Sequence, residues 1–187
     1  MLSWIPSPAL FRLTGAFAFV LLNAAAALAQ NSDISNYRLG SGDVITIQVL
    51  GEDDLKRERI RLSDAATISY PILGEIKLLG KTVAELETLI RDGLKGRYLV
   101  NPQVTVTIVE YRNFFINGQV EKPGGYPFIP GLTVRKAVSL AGGFKERASK
   151  DKIFVIRDDD RSQTPKHVDQ NAAVNPGDII TVEESFF

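Results

Sequence analysis

Apolar and polar positions along this chain follow two rhythms, one of period two and one of period near 3.6. Val44-Ile45-Thr46-Ile47-Gln48-Val49 is a β-branched run bounded by Gly42-Asp43 before and Gly51-Glu52-Asp53-Asp54 after, which predicts a strand between two turns. Residues 103–109 alternate cleanly. Val104, Val106 and Ile108 point one way and Thr105 and Thr107 the other, the mark of a half-buried strand. Further strands are predicted over 66–70, 114–119, 152–157 and 178–183. The slower rhythm predicts two helices. Thr82-Val83-Ala84-Glu85 is a capping box, in which hydroxyl and carboxylate each satisfy a first-turn amide. Behind it Val83, Leu86, Leu89, Ile90 and Leu94 share one face, and Gly93 or Gly96 ends the helix. A second helix is predicted over 133–141, with Val134, Ala137, Val138 and Ala141 on one stripe and Gly142-Gly143 to close it. Short strands with one or two packed helices predict an α+β fold.

The N-terminus breaks both rhythms. Residues 1–29 hold one basic side chain, Arg12, and no acidic one, and 13–28 are almost wholly Leu, Ala, Phe and Val. Ala27-Leu28-Ala29 places small residues before Gln30, and a polar stretch follows. This is the three-part pattern of a secretory signal peptide cut after Ala29. A retained anchor is the alternative, although the apolar run is slightly short for a span. A second break, at Tyr111-Arg112-Asn113, divides the remainder into two small modules.

Composition narrows the chemistry. Of 187 residues 44% are hydrophobic and 24% charged, an ordinary globular balance. Twenty-two basic side chains against 22 acidic ones leave no net charge with which to hold a nucleic-acid backbone. The absence of cysteine excludes disulfides, a thiolate nucleophile, Cys-ligated zinc and a lipidated cysteine. The single histidine, His167, lies in a polar stretch and reads as a solvent residue. No Gly-x-Ser-x-Gly elbow, phosphate loop or dinucleotide fingerprint occurs. Asp158-Asp159-Asp160 reads as a hairpin tip and lacks the ligand spacing of a calcium loop. The chain is therefore expected to be no enzyme and to hold no metal or cofactor.

Gly42-Asp43-Val44-Ile45-Thr46-Ile47 returns near the end as Gly177-Asp178-Ile179-Ile180-Thr181-Val182. Gly permits a tight turn, Asp can accept from its own turn amides, and a buried strand follows. Gly42, Gly74, Gly118, Gly124 and Gly177 accordingly read as backbone-geometry residues. The run Glu52-Asp53-Asp54 followed by Lys56-Arg57-Glu58-Arg59 reads as a solvated loop, or alternatively as a charged contact between protomers.

From Tyr37-Arg38-Leu39-Gly40-Ser41-Gly42-Asp43 onward the chain resembles the bacterial polysaccharide export family, the Wza-like outer-membrane export proteins. The order continues through Tyr70-Pro71-Ile72-Leu73-Gly74-Glu75-Ile76, which is similar to the family's hairpin, then Gly80-Lys81-Thr82-Val83-Ala84-Glu85-Leu86 and Asn101-Pro102-Gln103-Val104. The second module resembles a soluble-ligand-binding β-grasp (SLBB) domain through Ile116-Asn117-Gly118, Pro123-Gly124-Gly125-Tyr126, Ala141-Gly142-Gly143 and Asn175-Pro176-Gly177-Asp178. The resemblance implies residues 1–29 as signal peptide, 30–112 as a mixed-sheet polysaccharide export domain with one packed helix, and 113–187 as a β-grasp-like SLBB domain.

It further implies a non-catalytic component of an exopolysaccharide or capsule export machine, periplasmic and associated with the outer membrane. Its partners would be the polysaccharide, further copies of itself in a homo-oligomer, and an inner-membrane polysaccharide co-polymerase. With no cysteine and no amphipathic C-terminal helix before Phe187, a separate outer-membrane porin-like partner is also expected. The alternative is a periplasmic module that captures a glycan or small ligand. Candidate polymer or inter-subunit contacts are Tyr37, Arg38, Asp43, Tyr111, Tyr126 and Asp178. The two tyrosines that flank turns, Tyr111 and Tyr126, are the better sugar-stacking candidates, whereas the strand phenylalanines Phe114 and Phe115 are expected in the core.

Overall fold

The computed structural model describes residues 36–185. The predicted signal peptide, residues 1–29, lies outside the described residues. The chain divides into two units, Met1–Tyr37 and Arg38–Phe187, and every helix and strand of the described residues falls in the second.

The first sheet is built on β1 (Val44–Val49), whose Val44, Ile45, Ile47 and Val49 are all buried. A β-branched strand buried at four of its six positions belongs at the centre of a sheet, and β1 lies between β2 (Arg57–Arg61) and β5 (Val104–Glu110), antiparallel to both. β2 corrects the expected solvated loop. Its alternation is hidden because both faces carry charge, yet a sheet edge tolerates exposed charged side chains. The strand pairs with β1 through a register break between Ile45 and Ile47, with Arg59 at φ 48°.

β3 (Thr67–Tyr70) and β4 (Gly74–Lys77) form a separate antiparallel hairpin. Tyr70 is buried there and its hydroxyl donates to the Leu55 carbonyl at 2.9 Å. Helix α1 (Val83–Leu94) begins as predicted, with the Glu85 amide donating to Thr82 Oγ1 at 3.2 Å and the Thr82 amide to Glu85 Oε2 at 2.9 Å. It buries Leu86, Ile90 and Leu94, worth about 1.5–3 kcal/mol each. The cap residue is Lys95, with left-handed Gly96 just beyond it. Gly93 stays inside the helix and lets it approach Leu73, whose Cδ2 would be 2.8 Å from a Cβ there. Glu87 reaches from α1 to the free edge of β5 and accepts from the Val106 amide at 2.9 Å.

The second module is a five-stranded sheet of order β7-β6-β10-β8-β9, from β6 (Phe114–Gly118), β7 (Gly124–Tyr126), β8 (Ala148–Ile156), β9 (Lys166–Val168) and β10 (Ile179–Glu184). Here β6 and β10 run parallel, and the other pairs are antiparallel. A parallel pair needs a long crossover, and the intervening chain carries α2 (Val134–Leu140), capped by Thr133. Its Val134, Ala137 and Val138 close a core with Phe114, Ile116, Ile153, Val155, Ile180 and Val182. The molecule is thus α+β, in two modules joined between Glu110 and Phe114. No helix among the described residues is long and apolar enough to cross a membrane.

Candidate functional site

The repeated Gly-Asp hexapeptide folds the same way twice. Gly42 and Gly177 both adopt left-handed backbone, φ 89° and 87°, which suits glycine. The following Asp43 and Asp178 are both fully buried. Each accepts from an amide three residues back, Gly40 to Asp43 Oδ2 at 2.9 Å and Asn175 to Asp178 Oδ2 at 2.7 Å. Each also meets an arginine. Arg112 Nη1 lies 3.2 Å from Asp43 Oδ2, and Arg157 Nη1 lies 2.5 Å from Asp178 Oδ2.

The source of both arginines is the same. Val44 pairs with Glu110 and Ile179 with Ile156, so the antiparallel neighbour of each Gly-Asp strand ends beside the turn, and the next residues along it include the arginine. Burial pushes the Asp178 carboxyl above the usual carboxylate range, opposed by the Asn175 amide, the Arg157 charge and the Asp158 amide dipole.

The two turns meet at the junction of the modules. Arg112 donates its backbone amide to Asp43 Oδ1 at 2.8 Å and its Nη2 to Asp158 Oδ2 at 2.7 Å. Asp158 belongs to the turn after β8, so the acidic tip read from the sequence is partly committed to an intermodule ion pair. The Gly177 amide donates to the Asn113 carbonyl at 3.1 Å.

Beside this junction opens a cleft of about 670 Å³, lined by the end of β5, the start of β6, loop 127–130 and both Gly-Asp turns. Tyr111 and Phe128 meet edge to face in its wall, ring centroids 5.4 Å apart. Burial, and then the nearby Asp43 charge, raise the Tyr111 hydroxyl above its ordinary pKa. At the rim Arg61 Nη2 lies 3.3 Å from Glu110 Oε2, and Arg59 donates to Glu110 Oε1. The Arg59 hydrogen bond, with both positive charges, holds the Glu110 carboxyl below its usual range.

Of the six residues singled out in the sequence, Asp43 and Tyr111 come together here. Asp178 is in the neighbouring turn; like Asp43 it is sealed from solvent, so of the three only Tyr111 lines the cleft itself. Tyr126 stacks on Phe114, centroids 6.0 Å apart, and donates its hydroxyl to the Lys122 carbonyl at 2.6 Å. Arg38 is exposed and holds the Gly80 carbonyl at 2.6 Å, and Tyr37 is half-buried.

Phe115 departs from expectation. It points away from the core that holds Phe114 and is 51% exposed in the cleft. Arg112, Asp158, Phe115 and Phe128 carry the junction and the cleft without having been selected from sequence. Strand parity identifies Phe115, since a residue next to buried Phe114 must face the other way. Among the described residues no group of three or more acidic, histidine or cysteine side chains could hold a metal.

Comparison with known proteins matches this architecture. Residues 31–109 match the polysaccharide biosynthesis/export protein family, and residues 113–166 match the SLBB domain. The chain is 31% identical over 150 residues to the exopolysaccharide production protein ExoF of Rhizobium meliloti, covering 72% of this chain and 35% of that one. It is 26% identical over 182 residues to the EPS I polysaccharide export outer membrane protein EpsA of Ralstonia nicotianae, covering 79% of this chain and 47% of that one. It therefore spans between a third and a half of the length of these relatives.

Proposed function

The chain belongs to the polysaccharide export family, and on that premise we propose that it is a non-catalytic component of an exopolysaccharide export machine. The observation that carries this reading is the ordered pair of domains, export then SLBB, on a single two-module fold. In this reading the export domain spans 30–112 and the SLBB domain 113–187, behind a cleaved leader of residues 1–29. The protein acts in the periplasm at the outer membrane, as a homo-oligomeric passage for polymer. An inner-membrane co-polymerase feeds it and a separate porin-like protein completes the route.

Exposed apolar side chains support a role in contacts between copies. Leu50 is 77% exposed and Val100 91% exposed, and the Leu50 amide donates to the Gln103 carbonyl, which brings the two segments together. Register places this end of β1 and β5 opposite the junction, since Val49 pairs with Val104 there and Val44 with Glu110 at the other end. An exposed apolar patch at this end of the sheet, away from the junction, suits a contact with a neighbouring copy.

The test is to locate polysaccharide in a clean deletion strain and in its complemented parent, assaying surface and medium apart from periplasm. Loss outside or accumulation within, restored by complementation, is the expected result. Unchanged surface polymer in a strain without a second copy of the gene overturns the reading. Sedimentation of the purified protein at micromolar concentration tests the oligomer separately.

A further inference from the structure

Phe115 lies on a rigid strand with its ring exposed where a soluble surface ordinarily places a polar residue. Its backbone is locked between β10 and β7, opposite Ile179 on one side and Gly125 on the other. Gly125 is what the ring lies over, for a Cβ there would stand 3.0 Å from Phe115 Cε1. One face of the ring is therefore supported by backbone, and the ring borders the cleft. Tyr111 and Phe128, held edge to face, supply further aromatic surface in the same cleft.

The polar groups at the rim are already matched. Arg61 pairs with Glu110, and Arg112 bridges Asp43 and Asp158. Arg59 and Arg61 together exceed Glu110 by one positive charge, and Asp43 and Asp158 exceed Arg112 by one negative charge, so the charges around the cleft cancel and favour a neutral ligand over an ionic one.

A pyranose has the complementary surface: an apolar C–H face for an aromatic ring and a hydroxyl edge for planar polar groups. A cavity of about 670 Å³ has the size of a small-ligand site, and this one is open to solvent. We infer that the cleft between the two modules is a weak saccharide subsite, in which Phe115, Tyr111 and Phe128 stack on neutral sugar faces while Arg61, Asn113 and Asp158 meet the hydroxyl edge. This deepens the export reading and rests on it for the identity of the natural ligand. Weak binding suits a conveyed polymer, because a tight site would stop it.

The test uses the purified full chain, titrated by amide-resolved NMR with cellotetraose as the neutral probe and tetragalacturonate as the acidic one. The expected result is saturable shifts at Tyr111, Phe115, Phe128 and Asp158 with cellotetraose, at an apparent Kd of roughly millimolar. Phe115→Ala should weaken it about five-fold or more, the loss expected for one aromatic contact, while Phe115→Tyr retains it. Unchanged circular dichroism in both variants separates this from unfolding.

Three outcomes overturn the inference. One is the absence of saturable shifts with either probe. Another is tetragalacturonate binding about ten-fold tighter than cellotetraose, which would make the cleft an anion site. The third is a Phe115→Ala change in sedimentation without change in sugar binding, which would make it a contact between copies. In the deletion strain, Phe115→Ala should restore less surface polymer than the wild-type gene. If deletion itself leaves polymer unchanged, the export reading fails while the titration still decides the cleft.

Discussion

Arg112 holds Asp43 twice over, through its backbone amide at 2.8 Å from Oδ1 and through its guanidinium at 3.2 Å from Oδ2, across 69 residues of chain. The same side chain reaches Asp158 in the second module at 2.7 Å, so one arginine joins the two modules through a carboxylate that is wholly buried and another that is half exposed. Removing one partner of a buried ion pair leaves an uncompensated charge. Arg112→Ala is therefore expected to destabilise the protein by about 3–5 kcal/mol, read from the urea midpoint. Arg112→Lys should recover only part of this, because a single ammonium cannot span both carboxylates as the guanidinium fork does.

Gly177 faces that same ion pair. Its φ of 87° disfavours any side chain, and a Cβ would lie 2.5 Å from Asp158 Cγ. Gly177→Ala should cost about 1–3 kcal/mol in thermal or urea unfolding. Asp158→Ala alone should cost no more than about 1 kcal/mol, as an exposed ion pair does. Combined, the two should be less than additive, because the clash with Cγ is gone. Part of the Gly177 penalty should survive, since the Asp158 Cβ is itself 2.8 Å away and φ is unchanged.

Tyr70 predicts a response to alkali. Burial raises its pKa, partly opposed by Arg57, so the folded state retains the phenolic proton after the unfolded chain has lost it. Its contribution is then fully present below the unfolded value of about 10 and falls as pH rises beyond it. Tyr70→Phe loses the hydrogen bond to the Leu55 carbonyl and should cost about 1–2 kcal/mol at neutral pH. The variant should also show a flatter decline in stability above about pH 10, measured by unfolding at stepped pH.

Asp178 predicts the opposite end of the scale. Its folded pKa is raised, so the native state takes up a proton at higher pH than the unfolded chain, whose value is about 3.9. This residue's contribution to stability should therefore improve as pH falls through the folded value and level off below the unfolded one. Asp178→Asn should remove that acid-side segment of the stability profile while keeping an acceptor for the Asn175 amide. A profile in which the variant tracks the wild type through the acid range would contradict this.

Local physics wrote much of this fold into short stretches of sequence. The run at 44–49 could only be a buried strand, the alternation after Gln103 only a half-buried one, and Thr82 with Glu85 closes its box in the first turn of α1 as their spacing requires. The repeated Gly-Asp turn was legible for the same reason, because a left-handed glycine and a self-bonding aspartate act within a few residues. Strand β2 was not legible. Its charged residues are compatible with a loop until β1 supplies the hydrogen bonds of an edge. The three-residue strands β7 and β9 are too short to show a period and exist only because their neighbours pair with them.

The junction was decided by tertiary structure alone. Nothing local links Asp43 to Arg112 or Arg112 to Asp158; the antiparallel register of β1 with β5 brings the first pair together, and the packing of the modules the second. Phe115 is the sharpest case. By composition it is one of two adjacent core-type phenylalanines, but pleating sends the two in opposite directions, and only the sheet's position beside loop 127–130 turns the outward ring into the side of a cleft.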